Sequence, residues 1–396
     1  MRLAFIALHP IVTAMLRKLA FFALVPLLLA GSDDPRAGTG GPIGDSEGLL
    51  PSYTFNTCPG AASVKWLALV QRLYSNHPVT RAVLITADGC TVLESMANYG
   101  GSGRFISWSM AKTVTGMLVG ALVTDGRLKL DAPAPIAEWH KPGDPRAAIT
   151  LRHLLQMSSG LRHVEVGDPI ENSDTNQTLF VSHTDAMAAA AIDHPLATKP
   201  GSTFRYSSLT TIILAEIITR TLTSSHDPRV RARAYTDFAR ARLFAPAGIE
   251  SAVLEFDGAG TQIGGSIIHM TLEDWGRIGG LLLDGKAGDG RQVLDPAWLA
   301  FMKTPSPTNP EYGAQLWLNR PGGAGGKATL FPGKGPATAV AADGHLGQLV
   351  IASPDSGPGR GIVVVRLGNT PDSRNPELMQ ALGDIVAAFD RPPANR

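Results

Sequence analysis

Two strand-turn-strand patterns near opposite ends of the chain set the strongest limit on its fold. Residues 81–86, the turn Ala87-Asp88-Gly89 and residues 91–96 read as one β-hairpin, with an apolar run interrupting the alternation as in a sheet covered on both faces. Residues 348–352, a Pro- and Gly-rich turn over 353–361 and residues 362–367 read as a second hairpin, followed by a helix over 377–389. Strands covered on both faces need helices on both faces, so the two hairpins are expected to join in one antiparallel sheet flanked by helices. Between them, residues from about 145 to 330 carry helical runs, long polar loops and few strand signals. The expected fold class is therefore α/β, with a mostly α-helical region inserted at 146–330 into a domain built from 56–145 plus 331–396. The cleft is expected between the two parts.

Directly after the first hairpin comes Ser109-Met110-Ala111-Lys112, opening an almost wholly apolar run to Val123. On a helix, a serine three residues before a lysine shares its face, so the amine can take the hydroxyl's proton. A serine hydroxyl is too weakly acidic to attack a carbonyl unaided, and a desolvated, partly neutral amine removes that obstacle. Ser-x-x-Lys is a loose pattern, and a solvated serine near a helix start is its plain alternative. This example is the one Ser-x-x-Lys in the chain, and burying its lysine in an apolar helix is costly unless the amine has work to do.

Two further elements follow in the order such a site needs. Tyr206-Ser207-Ser208 comes after Pro200-Gly201 and before a second apolar helix at 209–222, which places the tyrosine at a helix entrance. His345-Leu346-Gly347 follows Asp343-Gly344 and opens the apolar strand run, where Gly347 would let the backbone approach a substrate. With these motifs the chain resembles the serine β-lactamase and penicillin-binding-protein superfamily over about residues 60 to 390. The resemblance is to its class C-like branch, which includes family VIII carboxylesterases, D-aminopeptidases and 6-aminohexanoate-oligomer hydrolases. The segment from Ile149-Thr150-Leu151 to Ser158-Ser159-Gly160-Leu161, and Gly264-Gly265-Ser266 followed by Thr271-Leu272-Glu273-Asp274, are similar to two linking segments of that family.

The resemblance implies a β-lactamase/transpeptidase-like fold and an acyl-enzyme mechanism. It makes Ser109 the nucleophile, Lys112 its base partner and Tyr206 the group that shares the proton. The backbone N–H groups of Ser109 and Gln348 would form the oxyanion hole. Ser208 stands where class C β-lactamases carry asparagine, and would relay a proton between Tyr206 and Lys112. His345-Leu346-Gly347 stands for their Lys-Thr-Gly, replacing a cation and a hydroxyl with a mostly neutral ring and a leucine; His345 either shapes the leaving-group side or is a structural strand-edge residue. Tyr74-Ser75-Asn76 also fits the tyrosine pattern but precedes the nucleophile and reads as a helix end. His153, His163 and His269 lack partners at metal spacing, so no metal or other cofactor is expected.

A net charge of +1 over 396 residues shows no bias toward nucleic acid. Met15-Leu16-Arg17-Lys18 and the short apolar core that follows read as a secretory signal ending near residue 31, with Met15 a candidate start; the core is too short for a membrane span, and Ser32 replaces the cysteine a lipoprotein signal would carry. Residues 32–55 read as a flexible linker, and the mature protein is expected in the periplasm or outside the cell. Cys58 and Cys90 are the two cysteines, and an oxidising compartment favours a bridge over two buried thiols. The partner is then a small ester or amide, with an amidase for 6-aminohexanoate oligomers or D-peptides, a class C-like β-lactamase, or a non-catalytic binder of cell-wall peptide as alternatives. Glu165, Asp168, Glu171 and Asp174 read as solvated loop acids, although together they would attract a substrate ammonium.

Overall fold

The two hairpins meet in one seven-stranded antiparallel sheet of order β1-β3-β2-β10-β9-β8-β7. Its strands are β1 (Ser52–Phe55), β2 (Thr80–Ala87), β3 (Cys90–Met96), β7 (Trp317–Leu318), β8 (Val340–Gly344), β9 (Gln348–Ser353) and β10 (Ile362–Gly368). The computed structural model describes residues 52–56, 58, 65–96, 103–322 and 329–389; the leader and nearly all of the expected linker lie outside the described residues. The two hairpins join where β10 pairs with β2, from Ile362 opposite Ala87 to Leu367 opposite Ala82.

Alternate residues of the central strands enter two separate apolar cores. Val83, Ile85, Leu349, Ile351, Ile362 and Val364 face one, while Ala82, Leu84, Val350, Ala352, Val363 and Val365 face the other. Both faces are dry, which is why these strands read as near-continuous apolar runs. On the first face lie α1 (Lys65–Asn76), through Trp66, Val70 and Leu73, and the C-terminal helix Asn375–Ala387, through Leu378, Leu382 and Ile385. On the second lies α2 (Ala111–Thr124), with eleven of its fourteen residues buried; a helix apolar all round belongs in an interior. It packs beside α3 (Ser208–Leu222), whose N-cap Ser207 accepts from Thr210 N at 3.3 Å. A smaller sheet joins β4 (Phe105–Ile106), β6 (Ile268–Met270) and β5 (Val253–Leu254), in that spatial order.

Two expectations need correction. Residues 52–55 are not linker but edge strand β1, paired with β3 from Ser52 opposite Met96 to Phe55 opposite Leu93. The insertion is not bounded at 146 and 330, because helix α4 (Leu272–Asp284) packs on β2, β9 and β10, and β7 extends the main sheet. Its apolar face is complementary to the sheet, while a boundary drawn from strand signals alone cannot see that contact. Cys58 and Cys90 form a disulfide that ties the segment before α1 to the start of β3. Tyr74 lies in the last turn of α1, as a helix end.

Candidate active site

The nucleophile turn is clamped from two sides. Ser107 N donates to Ile268 O at 2.8 Å and Ser107 Oγ accepts from Ile268 N at 3.0 Å, so the small sheet fixes where α2 begins. Trp108 follows with φ of +43°, a left-handed conformation that a bulky residue adopts only under constraint, and it sets the direction in which Ser109 leaves the chain. On the other side stands the end of β8. A Cβ at Gly344 would sit 2.3 Å from the Ser107 carbonyl oxygen, so only glycine admits the strand this close.

One turn on from Ser109, at the start of α2, Lys112 is 2% exposed. Its Nζ lies 2.9 Å from Ser109 Oγ, 2.8 Å from Ser208 Oγ and 2.7 Å from Gly265 O. Gly265 is glycine for a spatial reason, since a Cβ there would meet the Ser208 carbonyl oxygen at 2.4 Å. Burial lowers the Lys112 pKa from its ordinary 10.5 to about 8, against the opposing pull of Glu165 and Asp343. The amine is thus neutral often enough near neutral pH to accept a proton.

Tyr206 sits at the entrance to α3, its ring centroid 4.8 Å from Lys112 Nζ. Desolvation pushes its hydroxyl well above 10, with Tyr312 and Glu165 adding to the shift and a hydrogen bond with Ser109 opposing it. Tyr206 is therefore a phenol at working pH, able to donate. Its ring stacks on Trp317 at 5.5 Å and meets Tyr312 edge-on at 5.9 Å, giving the site an aromatic wall. Ser109, Lys112, Tyr206 and Ser208, expected from the sequence, come together in one place.

A Beta-lactamase family model matches residues 70–387. The chain belongs to the beta-lactamase family. Similar solved structures include a protein from Bacillus anthracis provisionally described as a 6-aminohexanoate-dimer hydrolase, 21% identical with a TM-score of 0.64 over 82% of this chain and 83% of that one. A penicillin-binding-protein homologue from Caulobacter crescentus is 19% identical, TM-score 0.59, over 84% of this chain and 100% of that one. EstCE1, a hydrolase with promiscuous acyltransferase activity, is 17% identical, TM-score 0.58, over 82% and 100%. At these identities the likeness is one of fold, the β-lactamase/transpeptidase-like arrangement of sheet and helices. Membership of this family, with Ser109, Lys112 and Tyr206 brought together, supports a serine hydrolase.

Within this family member, the hairpin of β8 and β9 differs from expectation. His345–Gly347 forms the turn between the two strands, with Leu346 at φ +62°, so His345 points to the surface. Its side chain is half exposed, its Nδ1 lies 3.3 Å from Asp372 Oδ1, and its ring meets Trp108 edge-on at 5.5 Å. Gly347 does not open the backbone toward a substrate. A Cβ there would meet Leu378 at 2.6 Å and the Arg366 guanidinium at 2.7 Å, and it is Gly344 that permits the close approach to the nucleophile turn. Arg366, fully buried, donates to Gly347 O at 2.8 Å and Thr370 Oγ1 at 2.6 Å and so holds this turn. Gln348 begins β9 opposite Gly344, and its side chain bonds both the N–H and the carbonyl of Gly368.

Two functional candidates escaped the sequence. Glu165 is no solvated loop acid, since its carboxylate accepts from Ser208 N and Ser208 Oγ, each at 2.6 Å, and from Thr175 Oγ1 at 2.7 Å. Asp174 likewise accepts from Val164 N at 2.8 Å. Asp343, on β8, carries a carboxyl raised to about 7 by desolvation and the nearby Asp372, with Lys112 opposing. No local motif marks either residue. The histidines are accounted for: His153 Nδ1 accepts from Thr150 N at 3.2 Å in a helix cap, His163 is buried between Ser207 and Ala191 O, and His269 pairs with Glu255 at 2.7 Å. Among the described residues no group of three or more His, Cys, Asp or Glu could hold a metal ion, and no helix is long and apolar enough to cross a membrane. A cavity of about 440 Å³ lined by Leu84, Glu273, Arg277 and Arg360 contains none of the catalytic candidates.

Proposed function

We propose that this protein is an exported serine hydrolase that cleaves small neutral or cationic esters, and related amides more slowly, through an acyl-enzyme on Ser109. The observation that carries this reading is the buried Lys112 amine, 2.9 Å from Ser109 Oγ and neutral above about pH 8. Ser109 Oγ attacks the carbonyl carbon as its proton passes to Lys112 Nζ, and the carbonyl oxygen becomes the oxyanion. One donor to it is Ser109 N, in the short turn that leads into α2, and the 344–348 hairpin, where the sequence pointed to Gln348, supplies the other. On collapse the leaving group departs with a proton from Tyr206, which recovers one from Lys112. Water then attacks the acyl-enzyme by the reverse route, releasing the acid and restoring Ser109.

Substrate class follows from charge. The β8 residue that borders the site is the carboxyl-bearing Asp343, which repels a substrate carboxylate and suits a neutral or ammonium-bearing one. The aromatic wall of Tyr206, Tyr312 and Trp317 favours an apolar acyl or leaving group. An amidase for ω-amino-acid amides is the second reading, supported by Asp343 and by the fold shared with the Bacillus anthracis protein described as a 6-aminohexanoate-dimer hydrolase. The apolar, basic-headed leader and the Cys58–Cys90 bridge support export to the periplasm or beyond. Comparing kcat/KM for p-nitrophenyl butyrate, nitrocefin, the linear 6-aminohexanoate dimer and a D-alanyl peptide tests the substrate claim. The ester is expected to lead nitrocefin by at least about tenfold, the worth of one missing charge-assisted contact; a preference for nitrocefin would make β-lactamase the better description.

A further inference from the structure

The Lys112 amine is surrounded by three oxygens, and their hydrogen-bonding capacities are not equivalent. Gly265 O accepts only. Ser208 Oγ can donate or accept, and its hydrogen lies on a 2.6 Å contact with Glu165 Oε1. Glu165 Oε2 already accepts from Ser208 N and Thr175 Oγ1, and its main-chain oxygen accepts from Ser173 Oγ at 2.7 Å, so the carboxylate is fixed in place. A carboxylate accepts only, so the Ser208 hydrogen goes to Glu165 and Ser208 Oγ shows Lys112 lone pairs alone.

A neutral primary amine has two hydrogens and one lone pair. With Gly265 O and Ser208 Oγ both requiring a hydrogen, the remaining direction, toward Ser109 Oγ, holds the lone pair. Were Ser208 free to donate, its hydrogen would take that lone pair, and an N–H would face the nucleophile instead. We infer that Glu165 is a positioning residue that, acting through Ser208, sets the polarity of this chain and aims the Lys112 lone pair at the Ser109 hydroxyl. Once the proton has moved, the ammonium has three hydrogens for three acceptors, and the Glu165 charge favours it. This inference rests on the reading of Ser109 as nucleophile.

Glu165→Gln tests the polarity. The Ser208 N–H cannot reverse, so the amide carbonyl turns to it and the NH2 group donates to Ser208 Oγ, whose hydrogen then points at Lys112. The expected result with p-nitrophenyl butyrate is a fall in kcat of roughly tenfold to a hundredfold with KM within about twofold. The acid limb of the kcat/KM profile should also move to lower pH, because loss of the charge and the reversed hydroxyl both favour the neutral amine. Loss of the charge alone would move that limb without lowering kcat on the plateau, so the limb and the plateau kcat are read together. In a Ser208→Ala background Glu165→Gln should cost nothing further in kcat, since the intermediary is gone. Ser208→Ala alone reads the same chain should the glutamine variant not fold, and wild-type kcat in it would overturn the inference. So would an unchanged acid limb in Glu165→Gln, or losses that multiply in the double variant. Labelling wild-type protein with a fluorophosphonate separates the two levels: absence of label on Ser109 overturns the underlying reading, whereas labelled Ser109 with an unaffected Glu165→Gln variant overturns this inference alone.

Discussion

Lys112 Nζ stands 2.9 Å from Ser109 Oγ on a helix that carries no other charged side chain. The same burial that makes the amine costly to place there brings its pKa down to about 8, so structure and reactivity have one cause.

The rate should therefore rise with pH. The proton acceptor is the neutral amine, so kcat/KM for an ester is expected to climb tenfold per unit below about 8 and level off above it. Asp343→Asn removes a charge that holds the lysine pKa up, and should move the midpoint to lower pH. A midpoint that rises in this variant, measured in a stopped-assay pH series, contradicts the electrostatic account.

Tyr206 is expected to matter most when the leaving group is poor. As a phenol held protonated by burial, it donates to the departing oxygen or nitrogen. Tyr206→Phe should cost roughly a hundredfold or more with an alkyl ester and much less with a p-nitrophenyl ester, whose leaving group needs no proton. Lys112→Ala and Tyr206→Phe together should cost less than the product of the single losses, because both act on one proton. Equal Tyr206→Phe losses on the two esters would refute its role as acid.

Lys112 also predicts a stability signature with a definite sign. Its folded pKa of about 8 lies below its ordinary 10.5, so between these values the unfolded chain binds the extra proton and folding becomes more favourable as pH rises. Wild type should gain stability relative to Lys112→Met across that window, by on the order of 1–3 kcal/mol, with no relative change between pH 6 and 7. Denaturation midpoints of both proteins at pH 7, 8.5 and 10 check this.

Features whose cause is local were legible in the sequence. Both hairpins, the helix following Ser109 and the tyrosine before α3 show in periodicity and turn residues, and all reappear in the structure. What failed depended on distant partners. Residues 52–55 are a strand only because β3 lies beside them, and α4 belongs to the sheet layer because β9 and β10 arrive some 70 residues later in the chain. Glu165 resembles any loop acid until Ser208, 43 residues on, is brought to 2.6 Å. At the β8–β9 turn the sequence showed glycines at both 344 and 347, and only the packing of Ser107 and Arg366 tells which one borders the nucleophile.

Mass spectrometry of the trapped intermediate tests the central claim most directly. Wild-type protein mixed with excess p-nitrophenyl butyrate, quenched in acid and digested, should carry one butyryl group on the peptide containing Ser109. The adduct should form more slowly at pH 6 than at pH 8.5 and be absent from Ser109→Ala, which should keep its fold while losing more than about 10³-fold in turnover. An adduct on another residue, or full turnover by Ser109→Ala, would contradict the account.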